Sequence, residues 1–216
     1  MQKVSENSEQ FNENSEQFNE NSEQFDEDSV INDFIDKLEI DALEARDKLI
    51  RVTQAVADIP WGEGRTIEDV FTLGVGTCTG KHKVLQACYD KLGVDYQPVV
   101  CTFRWKEQPI QYPQELKDML AEGEWDHGHN FVRLADGTDV DITWDGKLAK
   151  YGFKTLPEDW DGKSSFIGVD NIIQRWDGVS IDEMKARLIG NLDIKTKERR
   201  EAFLHAFIEW VASINK

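Results

Sequence analysis

The sequence predicts an α+β fold in which helices pack on an antiparallel sheet, preceded by a disordered tail. Three observations support this: helical periodicity in residues 31–92, alternating strand-like segments within residues 94–144, and helical periodicity again over residues 180–214. Helices and strands that are segregated along the chain are typical of α+β folds. The 216 residues are enough for one domain with a substantial hydrophobic core.

The first 29 residues form a repetitive acidic segment with nine acidic side chains and one lysine. The heptad Asn-Ser-Glu-Gln-Phe-Asn-Glu occurs three times from Asn7, with Asp26 replacing Asn in the last copy. A coiled coil needs two apolar positions per heptad, and each copy has one phenylalanine. We therefore expect a disordered tail over residues 1–29 and one folded domain over residues 30–216. A segment that becomes ordered on a partner is the alternative.

Helices are predicted for the first half of the domain. Apolar residues over 31–56 recur at helical spacing and predict one amphipathic helix. A helix over Thr66–Gly74 begins with the spacing of a capping box. A third helix is expected over Cys78–Leu92, with Gly93 at its C-terminal cap.

Strands follow, and two helices close the domain. The segment from Asn130 contains two alternating strands joined at Asp136-Gly137, which is the pattern of a β-hairpin. The remaining predicted elements, in chain order, are a strand over Val94–Arg104, a short helix over Pro113–Leu120, the hairpin over 130–134 and 138–144, and helices over Ser180–Leu192 and Lys195–Ile214.

Composition and charge exclude several classes of function. A net charge of −17 argues against nucleic-acid and anionic-membrane binders, because both need clustered lysine and arginine. No apolar run approaches the length of a membrane span, and the first residues lack a secretion signal. Three cysteines without a C-x-x-C pair predict neither a disulfide framework nor a zinc ribbon. We expect a cytoplasmic protein with free thiols and without a cofactor.

A glycine-rich loop delivers Cys78 to the first turn of a predicted helix. The free N–H groups and the positive dipole end of a helix stabilise a thiolate, which is the nucleophilic form of cysteine. The same N–H groups can bind the oxyanion of a tetrahedral intermediate. Cys78 is therefore a candidate nucleophile, whereas Cys88 and Cys101 lie in apolar surroundings and are expected to pack in the core.

His129 and Asp141 lie on the two strands of the predicted hairpin. With a turn centred on Asp136-Gly137, Asp141 pairs with Val132 and faces away from His129. A longer turn or a bulge that shifts the register by one residue places the two side chains on the same face. The hairpin therefore allows a contact between His129 and Asp141 but does not require one.

Four segments occur in an order that resembles the transglutaminase-like superfamily of papain-type thiol enzymes, in its small stand-alone microbial form. They are Gly76-Thr-Cys78, Gly93-Val-Asp-Tyr-Gln-Pro-Val, His129-Asn-Phe-Val-Arg-Leu and Asp141-Ile-Thr-Trp, within about residues 40–145. The resemblance implies a papain-like core with Cys78 as nucleophile, His129 as general base and acid, and Asp141 as the group that orients the imidazole. For the oxyanion it implies the backbone N–H of Cys78, with Trp61 as a further candidate. Phe131 stands where the family often has tryptophan.

This resemblance implies thiol-dependent acyl transfer on the amide or peptide bonds of a protein or peptide substrate, with hydrolysis favoured over transamidation. Nothing in the sequence resembles the calcium sites of crosslinking enzymes or the R-G-G-x-C motif of arylamine acetyltransferases. The alternative is a catalytically inactive module that binds a peptide, with the acidic tail as bait or lid.

Other residues compete for these roles. His82, four residues after Cys78, is a rival base, although an exposed Lys-His-Lys face is the simpler interpretation; His127 is the second rival. Asp139 and Asp145 are the rival acids. A metal site of Cys78, the two strand histidines and aspartates is a further alternative. Three tryptophans can line a cleft or anchor loops in the core: Trp144, Trp160 and Trp176.

Overall fold

The computed structural model describes residues 25–215, so most of the predicted tail lies outside the described residues. Helix α1 (Glu27–Asp36) begins three residues before the predicted domain boundary. The side chain of Asp26 caps it by accepting a hydrogen bond from Ser29 N at 3.1 Å. The last residues assigned to the tail therefore belong to the folded unit.

The prediction of one continuous helix over residues 31–56 is wrong. The segment forms α1 and a separate helix α2 (Ala45–Ala57). Between them Glu39 adopts a left-handed backbone conformation, with φ of 53°, which interrupts the helical ladder. The break lets α1 turn back onto the following helices and buries Ile31 and Ile40 in the core.

Two predicted helices are present with their predicted caps. Helix α3 (Ile67–Leu73) begins with a capping box between Thr66 and Asp69 and ends at Gly74. Helix α4 (Cys78–Leu92) ends at Gly93, which has φ of 66°. Glycine adopts this left-handed conformation without steric strain, so the sequence marks both helix ends clearly.

The second half of the chain forms the sheet and three more helices. Strand order is β3-β2-β1-β4, and every neighbouring pair is antiparallel, so the predicted α+β class is confirmed. Strand β4 was not predicted. The elements are β1 (Tyr96–Phe103), a 3-10 turn (Trp105–Glu107), α5 (Gln114–Ala121), β2 (His127–Leu134), β3 (Asp139–Val140), a second 3-10 helix (Gly146–Tyr151), β4 (Gln174–Asp177), α6 (Ile181–Gly190) and α7 (Ile194–Asn215).

The β2–β3 hairpin has the shifted register. Val132 pairs with Val140, not with Asp141, and Leu134 N donates to Thr138 O at 2.9 Å. The turn therefore contains three residues and ends at Gly137, whose φ is 90°. Because side chains alternate along a strand, this shift of one residue turns Asp141 to the face that carries His129.

The sheet separates two hydrophobic cores. On one face, α1, α2 and α4 pack against the side chains that include Val132 and Val140. On the other face, α5 and α7 pack against the side chains that include Phe103 and Phe131. Cys88 and Cys101 are buried, as predicted. No helix among residues 25–215 has the length and apolar character of a membrane span.

Candidate active site

Cys78 is the first residue of α4, and its helix end is fixed by close packing. The cap residue Thr77 accepts a hydrogen bond from Gly80 N at 3.3 Å and donates its own N–H to Gly64 O at 2.7 Å. A Cβ on Gly80 would lie 2.3 Å from that carbonyl oxygen, so the approach requires glycine. The sulfur is held at a rigid helix N-terminus, half-buried in the wall of a cavity.

The structure brings His129 and Asp141 together beside this helix end. His129 Nε2 lies 2.7 Å from Asp141 Oδ2, and both side chains are buried. Asp141 also accepts hydrogen bonds from Gly168 N at 2.8 Å and from the Thr143 hydroxyl at 2.6 Å. Burial raises the pKa of Asp141, but the charge and hydrogen bond of His129 outweigh it and hold that pKa well below its usual range.

Cys78 and His129 line the same cavity, and each side chain shifts the pKa of the other. Because Nε2 faces Asp141, Nδ1 is the ring nitrogen that remains for the sulfur. Burial alone would raise the pKa of Cys78, yet the charges of Lys185 and His129 lower it to about 6. Burial lowers the pKa of His129, but the Asp141 carboxylate raises it to about 9. These directions favour a thiolate–imidazolium pair at neutral pH.

Lys185 is a site residue that the sequence analysis missed. Its Nζ lies 3.2 Å from the sulfur of Cys78, 2.8 Å from the Thr79 hydroxyl and 2.5 Å from Asn130 Oδ1. Helix α6 crosses strand β2 at Gly128 and carries Lys185 with it. A Cβ on Gly128 would lie 3.2 Å from the Leu188 side chain, so the helix packs closely on the strand. Lysines are common on amphipathic helices, so no local pattern marks this one.

Asn130 connects the strand to the start of α4. Its Nδ2 donates to Cys78 O at 3.2 Å, while Oδ1 accepts from Lys185 and from the Thr79 hydroxyl at 3.2 Å. Neighbouring residues of a strand point to opposite faces, so Asn130 holds the helix while His129 turns to the sulfur. The two residues together fix the strand relative to the thiol.

The interpretation of an exposed Lys-His-Lys face is wrong for two of its residues. Lys81 and His82 are fully buried. Lys81 Nζ donates to Ala57 O at 2.9 Å and to Thr143 O at 3.1 Å, and burial lowers its pKa to about 7. It therefore joins α2 and the segment after β3 to α4.

Neither rival histidine is placed to act as the base. His82 Nδ1 lies 2.7 Å from Cys78 O, and Ile142 N donates to its Nε2 at 3.3 Å, so backbone groups occupy both ring nitrogens. Burial lowers its pKa to about 4. His127 packs edge-on against Phe103 in the cavity wall, and burial holds its pKa well below the usual value.

The rival acids have other partners. Asp139 forms a two-point ion pair with Arg175, at 2.7 and 2.8 Å, away from the imidazole. Asp145 caps the second 3-10 helix and accepts a hydrogen bond from Trp61 N at 2.9 Å. Within residues 25–215, no group of three or more His, Cys, Asp or Glu side chains is arranged to hold a metal ion.

Trp61 presents an unused donor to the site. Its backbone bridges to Gly76, two residues before the thiol, and its side chain lines the cavity. The indole Nε1 is buried and has no hydrogen-bond partner among the described residues. The backbone N–H of Cys78 has no partner within its helix either, because it lies in the first turn. Both groups are therefore candidate donors to an oxyanion.

The cavity beside Cys78 has a volume of about 400 Å³. Its apolar wall comes from the core that contains Phe103 and from α6 and α7, and a mostly apolar cavity with a few polar groups is typical of a ligand-binding site. Trp144 lies in this wall, whereas Trp160 packs in the opposite core and Trp176 lies on β4. Its large apolar residues include Trp61, Phe103, Trp105, Trp144, Leu188 and Ile208.

Comparisons with known proteins add no assignment. No family model matches the chain, and no curated protein matches it significantly. A fold can host many activities, so function must be argued from the geometry and chemistry of the site.

Proposed function

We propose that this protein is a thiol-dependent acyl-transfer enzyme that acts on amide or peptide bonds. The observation that carries the proposal is that Cys78, at a helix N-terminus, lines the same cavity as His129, whose imidazole contacts the Asp141 carboxylate at 2.7 Å. The proposal includes a papain-like core of the transglutaminase-like type. The chain order supports it: helix α4 with Cys78 comes first, strand β2 with His129 follows, and Asp141 comes directly after strand β3. A protein or peptide is the expected substrate, and neither nucleic acid nor a membrane is an expected partner.

In the proposed reaction the Cys78 thiolate attacks the substrate carbonyl carbon and forms a C–S bond. The negative oxygen is bound by the backbone N–H of Cys78 and by the Trp61 indole N–H. The intermediate collapses with cleavage of the C–N bond, and the His129 imidazolium gives its proton to the leaving amine. Asp141 keeps the imidazole oriented and stabilises its charged form throughout.

The acyl-thioester is then transferred to water or to an amine. The neutral His129 removes a proton from water, hydroxide adds to the carbonyl carbon, and the thiolate leaves with release of a carboxylic acid. We favour water as the acceptor, which makes the protein a protease or amidase. An amine acceptor in the same position gives transamidation.

Selective alkylation tests the activated thiol directly. Iodoacetamide is expected to modify Cys78 at pH 7 much faster than Cys88, whose pKa burial raises to about 12, or Cys101, whose pKa burial also raises. His129→Ala is expected to slow the labelling of Cys78 markedly, because the imidazolium no longer lowers the pKa of its thiol. Peptide mapping by mass spectrometry gives the rate at each site, and equal slow labelling of all three thiols contradicts the proposal.

Acylation tests the reaction itself. With p-nitrophenyl acetate, the full chain is expected to release a burst of nitrophenol and to carry an acetyl group on Cys78. Adding a primary amine such as methylamine separates the two outcomes, because a transferase forms the amide whereas a hydrolase continues to release acetate. Cys78→Ser is the matched control and is expected to show no burst.

The alternative function is a catalytically inactive module that binds a peptide in the same cavity. The contact that favours it is the Lys185 ammonium at 3.2 Å from the sulfur, which covers one approach to the thiol. A silent module is expected to show no burst while still protecting Cys78 from alkylation when a peptide binds.

A cytoplasmic location is part of the proposal. All three cysteines are free, and an oxidising compartment would threaten an unprotected nucleophile of lowered pKa.

A further inference from the structure

Two arginines face the cavity that contains Cys78. Arg65 follows Gly64, whose carbonyl oxygen is bonded to Thr77 N at 2.7 Å, so its backbone is anchored next to the nucleophile. Arg200 reaches the same cavity from α7. The two side chains come from distant parts of the chain and line the same cavity as the sulfur of Cys78.

Neither arginine has a carboxylate partner among residues 25–215: no ion pair within 4.0 Å includes the Arg65 or the Arg200 guanidinium. The two acids of the cavity wall are already paired. Asp126 contacts Arg104 at 3.1 Å, and Asp182 contacts Lys83 at 2.8 Å. Neither wall arginine therefore has an ion-pair partner in the cavity wall.

This arrangement is unfavourable without an anion. Burial and the Arg65 guanidinium both lower the pKa of Arg200, against the weaker opposing effects of Glu201 and Cys78. Two like charges that line the same cavity repel each other, and an anion placed between them relieves the repulsion. In a chain of net charge −17, an unpaired cationic patch at the reactive thiol is a local reversal of charge.

We propose that Arg65 and Arg200 form a subsite for a carboxylate of the substrate. The guanidinium group matches a carboxylate through two parallel hydrogen bonds, so the pair selects acyl donors with an Asp or Glu side chain, or a terminal carboxylate, close to the bond attacked. This inference rests on the proposed function of Cys78 and adds the substrate class to it.

Two sources of the carboxylate are chemically equivalent. One is a separate acidic peptide, and the other is the glutamate-rich repeat of this chain's residues 1–24. The repeat places Glu and Gln side by side before each phenylalanine, so it offers a carboxylate next to an amide and an aromatic ring. The subsite is the same in both cases.

A series of alkylating probes of increasing length tests the subsite on the full chain. Iodoacetyl derivatives of ω-amino acids, from glycine to 6-aminohexanoic acid, are each compared with the matching neutral carboxamide. We expect the ratio of carboxylate to carboxamide labelling rates at Cys78 to peak at one length, at roughly tenfold or more, because a charge-assisted pair of hydrogen bonds stabilises that probe. A ratio that stays at or below one for every length overturns the subsite.

Variants assign the preference to the arginines. R65Q/R200Q is expected to abolish the peak while the neutral probes still label Cys78 in preference to Cys88 and Cys101, which also shows that the site is folded. The double lysine variant R65K/R200K retains the charge and is expected to keep part of the preference. K37Q/R51Q makes the same change of net charge at exposed positions and is expected to keep all of it. A peak that survives R65Q/R200Q contradicts the assignment.

The same assay separates the two sources and the two proposals. Replacing the six glutamates of residues 1–24 with glutamine speeds carboxylate labelling if the chain's own repeat occupies the subsite, and leaves it unchanged if the ligand is a separate peptide. Fast neutral labelling with a flat ratio means that the activated thiol stands and the subsite fails. Slow labelling by every probe means that the proposed function fails.

Discussion

The ammonium of Lys185 lies 3.2 Å from the sulfur of Cys78, although 107 residues separate them in the chain. The thiol therefore has two cationic neighbours, because His129 carries the other positive charge. Lys185 is held in place by Thr79 and Asn130, so its charge is directed at the sulfur and not free in solvent. This second cation distinguishes the site from a simple Cys-His-Asp arrangement.

Removing the charge of Lys185 is expected to raise the pKa of Cys78. An opposite charge in contact shifts a pKa by roughly one to three units, and partial exposure places this case at about one to two. The pH profile of iodoacetamide labelling at Cys78 measures the change for Lys185→Met. Lys185→Arg keeps the charge and is expected to keep most of the wild-type profile; identical profiles for wild type and Lys185→Met contradict the role.

Asp141→Asn is expected to reduce p-nitrophenyl acetate turnover by roughly three to four orders of magnitude, since an amide cannot hold His129 in its charged form or its productive orientation. The pKa of Cys78 is expected to rise in the same variant. Asp139→Asn is the matched control, because Asp139 pairs with Arg175 and not with His129. The turnover of this variant is expected to remain within about twofold of wild type. Equal losses in the two variants argue for a structural effect alone.

Trp61→Phe is expected to separate acylation from alkylation. Alkylation by iodoacetamide develops no negative oxygen, so its rate at Cys78 should be unchanged. Acylation by p-nitrophenyl acetate forms an oxyanion, and loss of one donor is expected to slow it by roughly 10²- to 10³-fold. If both rates fall together, the indole positions the loop and does not bind the oxyanion.

Burial of His82 makes stability depend on pH. Its folded pKa is about 4, below the unfolded value near 6.5, so unfolding takes up a proton between these values and stability falls as pH falls through this window. The full effect is about 3 kcal/mol for this shift. Urea unfolding of His82→Gln from pH 7.5 to 4.5 is expected to show a shallower loss of stability than wild type. His205→Gln, at an exposed position, should follow the wild-type slope.

Gly80→Ala is expected to destabilise the domain even though alanine is the better helix former by about 1 kcal/mol. The new Cβ would lie 2.3 Å from Gly64 O, and a backbone contact this close cannot relax by a side-chain rotation. Gly190→Ala is the control, because nothing lies within 4 Å of its Cβ position in α6. Thermal unfolding should show a lower midpoint for the first variant and an equal or higher one for the second.

Local signals predicted the elements that carry the site. The capping box at Thr66 and the left-handed Gly93 depend on neighbours a few residues away, so the sequence alone locates α3 and the end of α4. The same holds for Cys78 at the start of α4, where a glycine-rich loop precedes a helical pattern. To predict which face of the hairpin carries Asp141, the length of the turn was also required. The turn has three residues and ends at Gly137.

Features that depend on distant partners could not be predicted in this way. The buried Lys81 ammonium donates hydrogen bonds to the carbonyl groups of Ala57 and Thr143. The sequence around Lys81 does not indicate these distant acceptors. Lys185 reaches the sulfur from a helix that looks amphipathic and ordinary. The break at Glu39 accompanies the packing of α1 on α4, a partner that lies far along the chain and that local periodicity does not encode.

The wall of the cavity is completed late in the chain. Leu204 and Ile208 belong to α7, and Lys185 belongs to α6, whereas Cys78 lies 107 residues before Lys185. During translation, Cys78 leaves the ribosome long before these helices exist. A growing polypeptide accordingly has a thiol with neither its ammonium neighbour nor its enclosed surroundings until synthesis has passed α7.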